Sequence, residues 1–416
     1  MEEEKLNSLK RELKLKQFQF DSLYEFSSAI YSSFRLDSIL RVFFSSLMGQ
    51  LGISRVFFMD RRYGLLRKKG FKLSDSEREF LLNNLKFKKE SWFYKDVESL
   101  GDEYTLVKDD LLKNGIFTLI NLDETGENTI LLGLGKKFNR IKLQAEGIEM
   151  TFFLGRFMLI AMENSFMVEK MIENEKLERE IEIAKEIQLS LLPEKKTELS
   201  DFEFSVTYEP INSVGGDYYD ILPKVMGKIP ILIADVEGKG LSAALLAASS
   251  QAVFHTLNET LSTNPGEFMS KANSLIYKFT GGNRFITVFF MIINEIDRSI
   301  SYVNAGHVEP IHISGDRVNI LKSGGFLTGF TNDASYEFGK IKMRKGDILA
   351  AFTDGVPEIE NREGEEYGRT RIADFIQKHR MQSADEINRG LFKAISIFSG
   401  GKKPADDCTF ILLKSI

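Results

Sequence analysis

Near the start of the chain, Leu6, Leu9, Leu13, Phe20, Leu23 and Ile30 fall on alternating three- and four-residue steps, with Lys16 and Ser27 filling the same register. That spacing predicts an amphipathic helix whose stripe either pairs with another helix or packs on the domain that follows. Residues 37 to 51 repeat the pattern, with Asp37 placed as an N-cap, and Ile53 to Asp60 reads as a strand. Further strand-like runs occupy Gly115 to Leu122 and Asn128 to Leu134, before a helix that begins near Leu143. From Leu143 to Leu192 there is no Pro, and Gly147 and Gly155 are the only glycines, so the helix is nearly continuous. Pro193 stops it, and Phe202 opens a second domain.

In the later part of this long helix, Met167, Leu177, Ile181, Ala184 and Leu191 keep a heptad register, but Lys170, Asn174 and Gln188 share the seam. A seam of that polarity pairs weakly and shifts register easily, as a transmitting helix requires. Ile187, Leu191 and Leu192 share one face and are expected to dock on the second domain. Two apolar seams flanking the first domain predict a homodimer. The order of helix, strands and an exit helix ending Ile160-Ala161-Met162-Glu163-Asn164 resembles a GAF-type sensor domain. A PAS-like or other α+β module fits the same layout. The expected division is an N-terminal helix over 1–35, the sensor over 36–165, a helical linker over 166–195 and a second domain over 200–416.

Composition narrows the function classes. The 416 residues allow two or three domains, and with 43% hydrophobic residues and 34 Phe most of the chain folds. The net charge of −5 argues against a protein built to coat nucleic acid or an anionic membrane. One cysteine, Cys408, excludes an internal disulfide framework and a multi-thiolate zinc site. His255, His307, His312 and His379 lack ligand-like spacing. The start Met-Glu-Glu-Glu-Lys is unlike a signal peptide, and the apolar stretch from Met150 to Val168 is interrupted by Arg156, Glu163 and Asn164. No membrane insertion is expected, and the expected compartment is the cytoplasm.

The second half repeatedly places Asp where an apolar strand ends. Ile231 to Ala234 leads into Asp235-Val236-Glu237-Gly238-Lys239-Gly240, and Ile348 to Thr353 leads into Asp354-Gly355. Asp217 and Asp220 lie in Gly215-Gly216-Asp217-Tyr218-Tyr219-Asp220, and Asp406-Asp407-Cys408-Thr409 precedes the last apolar run. Crowded carboxylates repel unless divalent cations join them. An all-oxygen ligand set without clustered His or Cys favours Mg²⁺ or Mn²⁺ over Zn²⁺.

These strings, together with Ala184-Lys185-Glu186-Ile187-Gln188, Leu191-Leu192-Pro193, Asn304-Ala305-Gly306-His307 and Phe352-Thr353-Asp354-Gly355-Val356, resemble the SpoIIE/RsbU-type branch of the metal-dependent (PPM) serine/threonine phosphatases. The resemblance covers about residues 184 to 416 and implies an α+β fold in which an α-β-β-α sandwich of two antiparallel sheets follows the sensor. It implies two Mn²⁺ or Mg²⁺ ions held by Asp217, Asp235, Asp354 and Asp406, with the Val236 carbonyl as a further ligand. By the family pattern Asp235 would bridge the ions and hold a shared water that attacks phosphorus in line, without a protein nucleophile. Asp220 and Asp407 receive supporting roles.

Some family features are missing. Glu237 stands where eukaryotic members carry a His proposed as general acid, and no counterpart of their phosphate-binding Arg appears near the start of the domain. Lys239 either faces an incoming phosphate or lies in solvent, and His307 reads as a structural turn residue. Phe326-Leu327 between glycines is either a flap or an ordinary loop. The expected function is a sensor-controlled phosphatase acting on a phosphorylated protein, with a STAS-domain anti-sigma antagonist as substrate. A partner-binding scaffold and a two-metal nucleotide cyclase are the competing classes. The four intact aspartates argue against the scaffold, and the lack of a base-selecting constellation argues against the cyclase.

Overall fold

The computed structural model describes residues 6, 10, 13, 16, 17, 20, 21, 24, 27 and 28, then 35–85, 93–123, 129–193, 199–261 and 264–416. It divides into two compact units, Met1–Glu175 and Lys176–Ile416. Of the N-terminal stripe, Leu6, Leu13 and Phe20 are helical and exposed, while Leu9, Leu23 and Ile30 lie outside the described residues.

In the first unit, helix α1 (Leu36–Gln50) buries Ile39, Leu40, Phe43, Phe44 and Leu47 along one stripe. Its cap position is Arg35 rather than Asp37, because the helix begins at Leu36. Asp37 instead sits in the first turn, where the helix dipole favours an acid. Strands β1 (Val56–Asp60), β2 (Leu65–Lys69), β3 (Tyr94–Asp96), β4 (Ile116–Asn121) and β5 (Ile130–Gly135) form an antiparallel sheet in the order β2-β1-β5-β4-β3. The central strands β1 and β5 are buried along their whole length, so both sheet faces are covered. Val56, Phe58, Leu132 and Leu134 pack with α1 and the start of the long helix α4 (Ala145–Leu191). Phe57, Met59 and Leu131 pack on the other face with Leu81 of α2 (Asp75–Asn84) and Val107 and Leu111 of α3 (Thr105–Lys113). The buried Asp60 carboxylate is matched by Arg62 at 2.8 Å, and Arg62 also reaches Glu163 of α4 at 2.9 Å.

Helix α4 has 47 residues, as the scarcity of Gly and Pro predicts. It contains an 18-residue window apolar enough to cross a membrane by length and composition, with 44% of that window buried inside the protein. Within it Arg156 donates to the Leu122 carbonyl at 2.9 Å.

The second unit is a sandwich of two sheets. One contains β7 (Tyr218–Ile221), β8 (Lys228–Val236), β9 (Ile286–Asn294), β10 (Ser299–Ala305), β13 (Gly324–Gly325) and β14 (Gly339–Lys342), in the order β13-β10-β9-β8-β7 with β14 also on β10. All these pairings are antiparallel except the short β10–β13 contact. The other runs β12-β11-β15-β16-β6, from β6 (Phe202–Glu209), β11 (Ile311–Ser314), β12 (Arg317–Ile320), β15 (Ile348–Phe352) and β16 (Cys408–Ser415), and is wholly antiparallel.

Alternation along each strand decides the layers. Ile231, Ile233, Phe289 and Met291 of the first sheet meet Leu349, Ala351, Ile411 and Leu413 of the second in the interior. The intervening residues turn outward: Leu232, Ala234, Val288 and Phe290 are covered by α5 (Leu241–Leu261) and α6 (Pro265–Thr280). There Phe268 stacks on Phe290 at 4.3 Å. Ile348, Ala350, Phe352, Phe410 and Leu412 are covered by α7 (Gly368–His379) and α8 (Ala384–Ser399). The result is the helix-sheet-sheet-helix sandwich implied by the resemblance.

Candidate metal centre

The acidic segments come from both sheets. Asp217 directly precedes β7, and Asp235 is the penultimate residue of β8. Asp354 stands two residues beyond β15, and Asp406 two residues before β16, which pairs with β15. The sheets are tied at this end by hydroxyls. Thr353 and Thr409, from the second sheet, donate to the same oxygen of Asp217 at 2.8 and 2.6 Å. Asp217 is only 2% exposed, so without these donors its charge would be isolated.

Asp407 braces the centre from behind. Its two oxygens accept the amides of Ile211 and Gly216, at 2.7 and 2.6 Å, and hold the loop that presents Asp217. Two glycines permit the crowding. A Cβ on Gly355 would stand 2.0 Å from the Asp407 carbonyl oxygen, and one on Gly216 would stand 3.1 Å from the Val236 carbonyl oxygen. The turn after Asp354 and the loop before Asp217 therefore approach neighbouring backbone more closely than a side chain allows.

Charge is the dominant property here. Burial raises the Asp217 pKa well above its ordinary value, with Asp235 adding to the shift. Burial, then Asp354, Asp406 and Asp407, push Asp235 up to about 7. Asp354 is raised by burial and by Asp406. A cation at the centre is Lys239, whose ammonium lies 2.7 Å from Asp406 and also donates to the Ala405 carbonyl. Lys239 is thus held by the acidic loop rather than lying free in solvent. Among the described residues no three His, Cys, Asp or Glu side chains are drawn tightly enough to grip one ion as they stand. The donor chemistry nevertheless fits hard divalent cations: carboxylates that are buried or partly buried have too little positive charge beside them, and among the described residues no thiolate or imidazole is grouped with them.

Other residues singled out in the sequence resolve as follows. His307 is buried, its pKa lowered to about 3 by desolvation, and its Nδ1 shares a 2.8 Å hydrogen bond with Thr287, the residue paired with Asp235 across β8 and β9. An uncharged ring of this kind supports the strand end. Asp220 accepts from Tyr218 and Ile221 and meets His255 Nε2 at 2.8 Å. Cys408 is buried, and desolvation together with nearby acids, Asp217 foremost, raises its thiol pKa far above the ordinary value. Phe326 is 54% exposed and packs edge-on against Phe330.

Sequence reasoning missed the contact that joins α4 to this centre. Gln188 accepts from the Gly215 amide at 3.1 Å and donates to the Gly215 carbonyl at 2.7 Å, clamping the peptide two residues before Asp217. Ile187, expected on the docking face, is 57% exposed; Leu192 packs into the sandwich and Gln188 is buried beside it. The Leu191 carbonyl accepts from Gln251 of α5 at 2.6 Å. The available signal was a glutamine among the polar residues of the heptad seam, close to the helix end.

The chain is similar to known proteins in sequence and in fold. The family model of Stage II sporulation protein E (SpoIIE) matches residues 226–415. Phosphoserine phosphatase RsbU of Bacillus subtilis (strain 168) is 28% identical over 243 residues, covering 58% of this chain and 71% of that protein. Phosphoserine phosphatase RsbP of the same strain is 25% identical over 241 residues, covering 56% of this chain and 57% of that one. Among solved structures, the SiaA-PP2C domain of Pseudomonas aeruginosa superposes with a TM-score of 0.53 at 20% identity, covering 59% of this chain and 98% of that domain.

The raised pKa of Asp235 has a consequence for the metal-free protein. Between the ordinary value of 3.8 and about 7 the folded state keeps a proton that the unfolded chain gives up. Stability therefore falls as pH rises through that window, and stays lowered above it. In chelator, the melting temperature of the second unit should drop from pH 5.5 to pH 8, and Asp235→Asn should flatten that slope by a few degrees. Identical slopes in wild type and variant would show that Asp235 is not held against its charge.

Proposed function

The C-terminal unit is a SpoIIE-type phosphatase domain of the PPM family, and from this premise we propose that the chain is a metal-dependent protein serine/threonine phosphatase controlled by its N-terminal unit. The observation that carries the metal assignment is the convergence of Asp217, Asp235 and Asp354 with raised pKa values. Asp217, Asp235, Asp354, Asp406 and the Val236 carbonyl would hold two Mn²⁺ or Mg²⁺ ions. Bound there, such ions supply an activated water and neutralise the phosphoryl oxygens. Thr353 and Thr409 keep Asp217 oriented and favour its ionised form. Asp407 fixes the loop behind Asp217, and Lys239 balances part of the charge on Asp406.

A covalent route has no support. The Cys408 thiol is buried and its pKa raised, so it supplies no thiolate. The His307 ring, with its pKa lowered to about 3 by burial, is uncharged at neutral pH and so does not act as an imidazolium acid. The proposed substrate is a phosphoserine or phosphothreonine on a regulatory protein, with a STAS-domain protein as the expected case, and the proposed compartment is the cytoplasm.

For control, the first unit is read as a GAF-like sensor, supported by its five-stranded antiparallel sheet covered on both faces. The proposed division keeps 1–35 as the leading helix, 36–165 as sensor, 166–195 as linker and 200–416 as phosphatase. The Gln188 clamp on Gly215 supports transmission through α4, since any movement of that helix acts on the loop bearing Asp217. A homodimer is supported by Met167, Met171 and Leu177, apolar side chains that α4 leaves exposed.

Three outcomes test these assignments. Asp235→Asn should lower Mn²⁺-dependent phosphate release from a phosphoserine peptide by at least roughly 10²-fold while the circular dichroism of the fold is kept, and Asp354→Asn should do the same. Wild-type rates in either variant at saturating Mn²⁺ would remove the assignment. Gln188→Ala should change that rate several-fold with a melting-temperature change of no more than a few degrees, whereas Ile187→Ala should alter neither; equal rates in all three proteins would exclude the clamp as a control point. Light scattering at micromolar concentration should give twice the chain mass, and a monomer there would contradict the dimer.

A further inference from the structure

We propose that a cavity beside the metal centre receives the part of the substrate flanking its phosphorylated residue, and that Arg369 and Lys322 make the cavity select a carboxylate there. The inference rests on the phosphatase reading of the same site. The cavity has a volume of about 630 Å³, more than a phosphoserine side chain needs, and Asp354 is part of its lining. A residue attached to a phosphoryl group at the aspartates therefore has room for its neighbours in this space.

The charged residues that line the cavity form two groups. Glu358 and Glu366 lie with Asp354, on the side that bound cations would compensate. Arg369 and Lys322 share one acid, Glu309: Arg369 is ion-paired with it, and Lys322 stands 3.6 Å away. Within this second group two cations share a single carboxylate. Arg369 and Lys322 are 41% and 70% exposed, so both remain within reach of a ligand. A guanidinium offers five donors in a planar fork, so pairing with Glu309 leaves donors for a second carboxylate.

The backbone fixes Arg369 relative to Asp354. Tyr367 and Gly368, just before it, donate their amides to the carbonyls of Ile359 and Pro357 at 2.8 Å each. Pro357 and Ile359 belong to the turn that follows Asp354, and the Glu358 amide between them donates to the Asp354 carbonyl at 3.0 Å. The start of α7 is thus fastened to the acidic turn. On the facing wall, the Asn304 side chain accepts the His307 amide at 2.8 Å and sets the turn that leads to Glu309. Arg369 is consequently a built part of the cavity wall.

The test measures binding rather than turnover. Full-length protein in Mn²⁺ is titrated into fluorescent peptides carrying a non-hydrolysable phosphoserine analogue, identical except for a Glu, Gln or Lys beside it. Wild type should bind the Glu peptide about tenfold more tightly than the Lys peptide. Arg369→Gln and, separately, the exposed Lys322→Gln should each reduce that ratio by about threefold or more, and Glu309→Gln should increase it. No binding, no preference in wild type, a preference unchanged in both cation variants, or equal weakening of all three peptides would overturn the proposal; the last would mean that the cations hold phosphate. Phosphate release from the hydrolysable peptides reads the phosphatase assignment separately. A chain that binds with this preference and releases no phosphate fails that assignment while supporting this one.

Discussion

Carboxylates withdrawn from water repel one another, and the second unit is built so that several of them share one end of its sandwich. Each sheet brings its own: Asp217 and Asp235 from one, Asp354 and Asp406 from the other. Desolvation is the largest cause of the raised pKa at Asp217, Asp235 and Asp354, and the neighbouring acids add to it. Such an arrangement costs stability unless cations answer it, so the fold around it is the means of keeping the charges in place.

That constraint explains details with no meaning in isolation. Thr353 and Thr409 reach across the sandwich to a single oxygen of Asp217, which binds the two sheets together where repulsion would part them. Asp407 spends both oxygens on backbone amides, making it a brace of the loop rather than another free charge. Gln188 grips the peptide of Gly215 from both sides, so the end of α4 and the loop of Asp217 move as one. Under the proposed control such a centre would be a sensitive point, because small shifts in that loop would alter how closely the acids approach.

What the sequence discloses follows from the range of the forces involved. The 47-residue helix is legible because its determinant is local, the scarcity of Gly and Pro from Leu143 to Leu192. The placement of the four aspartates at strand termini is legible because an Asp beside an apolar strand is a local pattern. Thr353 and Thr409 stand inside the same strings, yet their role depends on a partner 136 and 192 residues away. Gln188 reads as a flaw in a heptad seam until Gly215 is placed beside it. Ile187 misleads in the opposite way: spacing puts it on a face with Leu191, but the helix turns that face outward and buries Gln188. The cap of α1 lies at Arg35 rather than Asp37, because the helix already begins at Leu36.

The central claim is that these acids are arranged for divalent cations, and calorimetric titration of the chelator-stripped full chain with Mn²⁺ tests it most directly. The account predicts saturable uptake of about two ions per chain at neutral pH. Absence of saturable uptake by a folded chain would contradict it.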